Sequence, residues 1–139
     1  MLDSNILTVV YLRYNTMKLD KYEQTLLNGW EDTHKQSQLT LWIMLALKNG
    51  PKHMNDIKTF ISNWTNQTLL ADDKSMYRAL RRFNEADLID FTNQPSQKGP
   101  DLKIYSLTET GKNVLNKFVE RNVSGIFYHR QVKELLLEK

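Results

Sequence analysis

A polar nonapeptide between two short apolar segments constrains the fold of this chain more than any other feature. Residues 93–101 read Asn-Gln-Pro-Ser-Gln-Lys-Gly-Pro-Asp, a composition that turns and loops favour. Residues 88–92 precede this stretch and residues 102–107 follow it. Both flanking segments have the length and the β-branched or aromatic content of strands. The sequence therefore predicts a β-hairpin with a long, flexible tip.

Three helices are predicted before this hairpin, from apolar residues at helical spacing and from the polar residues that begin and end helices. The predicted helices are residues 38–48, ended by Asn49-Gly50-Pro51; a helix from Asn55, its N-cap, to Trp64; and a helix capped by Asp72 or Asp73 that ends near Ala86. The order of three helices and a β-ribbon is that of a winged helix-turn-helix. The expected fold class is therefore mainly α with a small β-ribbon (α+β), with the winged-helix domain at residues 38–107.

An N-terminal arm is expected at residues 1–37. Within it, residues 6–14 fit either a strand or one face of a helix, and their period does not decide between the two. Residues 19–34 are predicted to form a helix, although Gly29 lies inside it.

A C-terminal helical segment is expected at residues 108–139, with Thr108 as the cap of a helix that runs to about Val123 and is interrupted at Ser124-Gly125. The apolar segments 6–14 and 126–137 exceed what a small winged helix buries alone, which predicts a two-fold homodimer. The alternative is an arm that folds back on its own domain. The residues expected to form the dimer contact are Val114, Leu115, Phe118, Ile126, Phe127 and Leu135.

The third predicted helix carries its apolar and basic residues on opposite faces. At 100° per residue, one side holds Met76, Ala79, Leu80 and Phe83. Four positive charges and no acid lie between Lys74 and Arg82. An α-helix of this kind fits the DNA major groove, where arginine can bind guanine O6 and N7 together. The residues expected to bind DNA are Lys74, Ser75, Tyr77, Arg78, Arg81 and Arg82 on the helix and Lys98 at the hairpin tip.

Two other interpretations of this basic surface stay open from the residues alone. The helix face can be solvated, with its arginines paired to Asp72, Asp73 or Glu85, and Lys98 can be part of a solubilising turn. Position within the third helix separates the roles if DNA is bound. Its N-terminal half, with Tyr77 and Arg78, would face base edges, and its later arginines would face the backbone.

Composition excludes several classes of function. The formal charge of +3 is mildly basic, and the absence of cysteine removes disulfides and thiolate chemistry. The three histidines lack metal-ligand spacing, and no phosphate loop or nucleophile elbow is found. We therefore expect no enzyme activity, no cofactor and no metal. No apolar run long enough to cross a membrane is found, and residues 5–14 lack the features of a signal peptide, so the cytoplasm is the expected location.

Four motifs in this chain resemble those of the PadR-like regulators. Residues 50–57 (Gly-Pro-Lys-His-Met-Asn-Asp-Ile) are similar to the Gly-Pro-x-His-Gly-Tyr-x-Ile of that family, and residues 75–82 (Ser-Met-Tyr-Arg-Ala-Leu-Arg-Arg) to its Thr-Leu-Tyr-Arg-Ala-Leu-x-Arg. Residues 86–89 (Ala-Asp-Leu-Ile) resemble its Glu-Gly-Leu-Ile, and residues 105–111 (Tyr-Ser-Leu-Thr-Glu-Thr-Gly) its Tyr-x-Leu-Thr-x-x-Gly. The motifs have the family's spacing, and the resemblance covers roughly residues 38–121.

The resemblance implies a winged-helix regulator of the repressor type, which binds a near-palindromic operator as a homodimer through the helix after the wing. By position, Tyr77 and Arg78 would contact DNA, and residues 108–123 would begin the dimer element. The chain departs from the family at Met54-Asn55, where the family has Gly-Tyr, and at Asp87, where it has Gly. The arm before the first motif is also longer than usual.

The expected function is a sequence-specific DNA-binding transcriptional regulator that occludes a promoter. Its expected partners are double-stranded DNA and a second copy of the chain. A small apolar effector between protomers is one candidate signal, since some relatives bind flat hydrophobic compounds there, and the alternative is no effector at all. Two rival functions are a winged-helix module that binds an acidic protein partner without DNA, and a nonspecific architectural DNA-binding protein.

Overall fold

The computed structural model describes residues 18–138. The predictions for residues 6–14 lie outside this range. The elements are α1 (Lys21–Asn49), α2 (Met54–Trp64), α3 (Asp73–Glu85), β1 (Ile89–Gln94), β2 (Leu102–Leu107), α4 (Glu109–Val119), a π-helical turn (Glu120–Ser124), α5 (Gly125–Phe127) and α6 (Arg130–Leu137). The described chain is mainly helical with one two-stranded sheet, which confirms the predicted fold class.

Helix α1 is one continuous helix of 29 residues where the sequence predicted two. The polar residues 35–37 between the two predicted helices include no proline or glycine, so nothing in this stretch ends a helix. At the N-terminus, the backbone N–H of Asp20 donates to Glu23 Oε1 at 3.0 Å, and the N–H of Glu23 donates to Asp20 Oδ1 at 2.8 Å. This reciprocal pair is a capping box.

The chain divides into two compact units. One unit is formed by residues 33–117 and holds the C-terminal part of α1, helices α2 and α3, the hairpin and most of α4. The other includes the described residues up to 32 and residues 118–138.

The core of the 33–117 unit draws side chains from each of its elements. Those that are fully or almost fully buried include Ile43, Ile57, Ile61, Met76, Leu80 and Ile89. The predicted inner face of the third helix is confirmed, because Met76, Ala79, Leu80 and Phe83 are all buried. Leu115, however, was wrongly expected to be available for a dimer contact. It is 3% exposed, because α4 turns Gly111 and Leu115, four residues apart, toward its own core.

The two strands form an antiparallel hairpin in which Ile89 pairs with Leu107 and Phe91 with Tyr105. β1 extends to Gln94, beyond the predicted end at Thr92. Outside the hairpin, the backbone N–H of Lys52 donates to Tyr105 O at 3.1 Å, and the N–H of Tyr105 donates to Lys52 O at 2.9 Å. These two hydrogen bonds hold Lys52, just before α2, against strand β2.

The Lys52 ammonium closes the end of α1. It donates to the carbonyl oxygens of Ala46 at 2.7 Å and Gly50 at 3.2 Å, and to Asn49 Oδ1 at 2.9 Å. A cation at a helix C-terminus satisfies carbonyls that have no partner within the helix. Partial burial lowers the pKa of Lys52, while Asp56 opposes this shift. The sequence analysis missed this role.

The structure tests the predicted caps of α2 and α4 and the predicted end of α4. The N-cap of α2 is His53 and not Asn55, since the N–H of Asp56 donates to His53 Nδ1 at 3.4 Å. Thr108 caps α4 as predicted, with the N–H of Gly111 donating to Thr108 Oγ1 at 2.9 Å. The α-helix ends at Val119, before the predicted interruption at Ser124-Gly125, and the π-helical turn Glu120–Ser124 connects it to α5, which begins at Gly125. A Cβ at Gly125 would overlap the carbonyl oxygen of Glu120, so glycine permits this close approach.

Asp87, which stands where the PadR-like motif has glycine, adopts a left-handed backbone conformation with φ of 62°. We expect Asp87→Gly to raise the free energy of unfolding by about 1 kcal/mol, because a side chain strains this conformation and glycine does not. Urea unfolding measures the change. Asp90→Gly, in strand β1, is the matched control and is expected to lower the free energy of unfolding by about 0.5–1 kcal/mol. If both substitutions changed the free energy of unfolding equally, the left-handed conformation of Asp87 would be contradicted.

Candidate nucleic-acid interface

Helix α3 is held at its N-terminus by Asp72. The carboxylate accepts two hydrogen bonds from Ser75, one from the backbone N–H at 2.8 Å and one from the hydroxyl at 3.0 Å. These bonds hold the pKa of Asp72 below its usual value. Ser75, which the sequence analysis placed among the DNA-binding residues, is therefore tied to the helix cap and is half-buried.

The pH dependence of stability provides a test of this cap. Because the pKa of Asp72 is lowered in the folded state, its contribution is present above the unfolded value of 3.8 and is lost as pH falls through the folded pKa. Asp72→Asn keeps a cap acceptor but cannot titrate. We expect the difference in melting temperature between wild type and Asp72→Asn to shrink between about pH 6 and about pH 3. If the difference in melting temperature stayed constant over that range, the pKa of Asp72 would not be lowered by folding.

The basic side chains of α3 are exposed and unpaired. Four cations of this helix are exposed to solvent: Lys74, Arg78, Arg81 and Arg82. Asp72 binds Ser75, and Asp73 pairs with Lys58. Within residues 18–138, none of the three arginines forms an ion pair. The alternative in which they pair with neighbouring acids is therefore not observed, and the positive charge of this face stays available to a ligand.

A groove of about 580 Å³ lies between α3 and the hairpin. Its cations are Lys74, Arg78, Arg81 and Lys103, and its aromatic lining consists of Tyr77, Phe91 and Tyr105. The ammonium of Lys103 lies 4.5 Å from the Phe91 ring centroid, and the Phe91 and Tyr105 rings are 5.9 Å apart. Burial raises the pKa of the Tyr105 phenol, and the nearby Tyr77 adds to the rise. The aromatic side chains thus place Lys103 beside α3.

Lys103 is a wing cation in the sequence, on the second predicted strand, but it is not among the residues expected to bind DNA. The signal that could have indicated a binding role is its place in the strand. Lys103 and Tyr105 are two residues apart in β2 and so project from the same face of the hairpin, toward α3.

The hairpin tip lies close to the first turn of α2. A smaller groove of about 410 Å³ is lined in part by His53, Asn55, Tyr77, Lys98 and Lys103. Lys98 is exposed, and the structure brings it to the same groove as Tyr77. The sequence-predicted residues Lys74, Tyr77, Arg78, Arg81 and Lys98 therefore belong to adjoining grooves of one unit.

The residues expected to mediate dimer contact, apart from Leu115, are solvent-exposed in the chain. Val114, Phe118, Ile126 and Phe127 are each between 44% and 49% exposed, and Leu135 is 72% exposed. In α1, Tyr22 is 71% and Trp30 is 77% exposed. Side chains of this size and polarity are available for contact with a partner.

Residues 18–138 contain no group of three or more histidine, aspartate or glutamate side chains that could hold a metal ion. None of the helices in this range is both long enough and apolar enough to span a bilayer.

Comparison with known proteins identifies a family model that matches the 33–117 unit. Residues 43–117 match the model of the transcriptional regulator PadR-like family. A PadR-like transcription factor from Bacteroides fragilis is 26% identical over 78% of this chain and 98% of its own, with a TM-score of 0.56. No curated protein matches the sequence.

Two further solved structures share the fold. A PadR family transcriptional regulator from Eggerthella lenta is 17% identical over 81% of this chain and 94% of its own, with a TM-score of 0.60. Bacillus subtilis PadR, solved in complex with operator DNA, is 23% identical over 58% of this chain and 46% of its own, with a TM-score of 0.54.

Proposed function

The chain belongs to the PadR-like family of transcriptional regulators, and we propose that it binds a near-palindromic operator as a homodimer and represses transcription by occluding a promoter. The observation that carries the proposal is the set of exposed, unpaired cations on one face of α3. A family of transcriptional regulators is not a class of enzymes. The proposed place of action is the cytoplasm.

DNA is the ligand that best fits this surface. Helix α3 offers Lys74, Arg78 and Arg81 along one exposed face, and the adjoining hairpin offers Lys98 and Lys103. A helix in the major groove reads base edges with its N-terminal half, while a wing contacts the minor groove or its phosphates. The structural neighbour from Bacillus subtilis was solved with operator DNA, and its fold is shared by this chain.

The proposed roles follow from position on α3 and from side-chain chemistry. Arg78 can bind guanine O6 and N7 with two parallel hydrogen bonds, and Tyr77 lies one residue before it. Arg81 and Arg82 come a turn later and would contact phosphates. Lys98 would add affinity that depends on salt and hardly on sequence. Ser75 would act through the helix cap, since its hydroxyl binds Asp72.

Homodimer formation would place two copies of α3 on one side of the duplex. Two recognition helices enter successive major grooves when they are about 34 Å apart, which matches an inverted repeat. The exposed apolar side chains Val114, Phe118, Ile126, Phe127 and Leu135 are the proposed contacts. A small apolar effector bound between protomers would change the spacing of the two helices and so release the operator.

Selection from a randomised duplex pool, followed by sequencing, tests this function. We expect wild type to enrich an inverted repeat whose half-sites are about one helical turn apart. Enrichment of a single half-site would contradict the dimer. No enrichment, together with binding that disappears at moderate salt, would contradict sequence-specific regulation and favour a protein partner for the basic face.

A further inference from the structure

A second groove lies along the flank of α3 that faces away from the hairpin. Its volume is about 590 Å³, and it is lined by residues of α3 and of α1. At 100° per residue, Tyr77 and Asn84 of α3 project toward the hairpin side, and Ser75 and Arg82 project toward the α1 side. Arg78 and Arg81 lie on the crest between the two sides and line both grooves. Helix α3 is thus flanked by a groove on each side.

The charge of this second groove is predominantly positive. Lys35 of α1 joins Arg78, Arg81 and Arg82 of α3 in lining it. Across residues 18–138, the Lys35 side chain forms no ion pair or hydrogen bond. Asp72 is the acid that lines the groove, and both of its carboxylate oxygens accept hydrogen bonds from Ser75. The Arg82 guanidinium lies 5.9 Å from the Phe83 ring centroid, and none of the four cations is in an ion pair within the described residues. All four can therefore bind an anionic ligand.

Part of the groove lining is apolar. Leu39 of α1 and Leu69, Leu70 and Ala71 of the segment before α3 contribute to it. Leu69 is buried, whereas Leu70 is 69% exposed and so is available for contact. A groove lined by both cations and aliphatic side chains suits a ligand that alternates phosphates with deoxyribose rings.

The dimensions of DNA indicate which part of it would lie there. The major groove is about 12 Å wide, and an α-helix with its side chains is about 10–12 Å across. A helix inserted in the groove therefore has one sugar-phosphate strand beside each of its flanks. The groove next to the hairpin faces one strand, and the groove next to α1 faces the other.

We propose that the groove between α1 and α3 receives the sugar-phosphate backbone of the DNA strand opposite the wing, with Lys35 contacting a phosphate. This inference rests on the proposed function and extends it to α1, a helix outside the helix-turn-helix and the wing. Lys35 contributes affinity and no choice of sequence, because phosphate contacts are the same at every base pair.

Salt-dependent binding of the selected duplex tests the proposal. Each phosphate contact adds about 0.9 to the magnitude of the slope of log K against log salt concentration. We expect Lys35→Gln to lower that slope by about 0.9 for each bound protomer, with the selected sequence unchanged. Lys35→Arg, which keeps the charge, is expected to retain the wild-type slope.

Lys48→Gln is the matched control. It removes the same charge from the same helix, but Lys48 lies outside the groove and donates to Asn116 Oδ1 at 3.1 Å. We expect it to leave the slope unchanged. An equal slope for wild type and Lys35→Gln, or an equal loss in both glutamine variants, overturns the inference while the proposed function stands. Failure of wild type to select any duplex overturns the proposed function itself.

Discussion

Gly111→Ala is expected to lower the free energy of unfolding by about 3 kcal/mol or more. Gly111 lies in the first turn of α4, where a Cβ would overlap the carbonyl oxygen of Leu88 and lie 3.0 Å from its carbonyl carbon. Both atoms belong to the backbone, so no side-chain rotation relieves the overlap. The same carbonyl accepts a hydrogen bond from the N–H of Thr108 at 3.1 Å, which the substitution would also disturb.

Urea unfolding followed by circular dichroism measures this loss, with Gly29→Ala as the control. Gly29 lies inside α1, and a Cβ there would have no atom within 4 Å. Since alanine is favoured over glycine in a helix interior, we expect Gly29→Ala to raise the free energy of unfolding by about 1 kcal/mol. A Gly111→Ala protein as stable as wild type would show that α4 does not pack this closely on the segment before β1.

Arg78→Ala is expected to remove the preference for the selected duplex and to keep much of the binding to random duplex. A bidentate arginine contact discriminates between bases by about 1–3 kcal/mol, and a dimer would lose it in both half-sites. Arg78 is exposed and unpaired in the described chain, so its removal leaves no buried group without a partner. Competition between the selected and a random duplex measures the ratio of the two affinities.

Two other variants show whether the effect of Arg78→Ala is specific. Lys98→Ala is expected to weaken binding to both duplexes by a similar factor, because a phosphate contact carries no sequence information. Arg130→Ala also removes one positive charge, but the Arg130 side chain is 90% exposed in α6 and pairs with Glu134. We expect it to leave both affinities unchanged. An Arg78→Ala protein that discriminates as well as wild type would contradict the role of this side chain.

Local sequence patterns predicted the part of the fold that carries the candidate site. The polar stretch 93–101 predicted the hairpin, and the spacing of Met76, Ala79, Leu80 and Phe83 predicted the buried side of α3. The resemblance to PadR-like regulators is confirmed by the family match over residues 43–117. These features are local, so turn chemistry and helical period are enough to find them.

The errors arose where the decisive contact was not local in sequence. The burial of Leu115 depends on the core that α4 meets, and no pattern within α4 distinguishes it from a residue at a dimer contact. Lys35 gains its place in a groove only because α1 continues through residues 35–37 and α3 packs nearby. The N-cap at His53 is a different kind of error, since its contact with the N–H of Asp56 is local in sequence. It was missed because Asn55 has the stronger general preference for the N-cap position.

The most direct test of the central claim is an equilibrium competition with the wild-type protein between its selected duplex and random duplex at one fixed salt concentration. If the basic face of α3 reads bases, the selected duplex should bind tighter by a factor of at least ~10³. A ratio near one would contradict the claim and leave the basic face as a surface for nonspecific DNA binding or for an acidic protein partner.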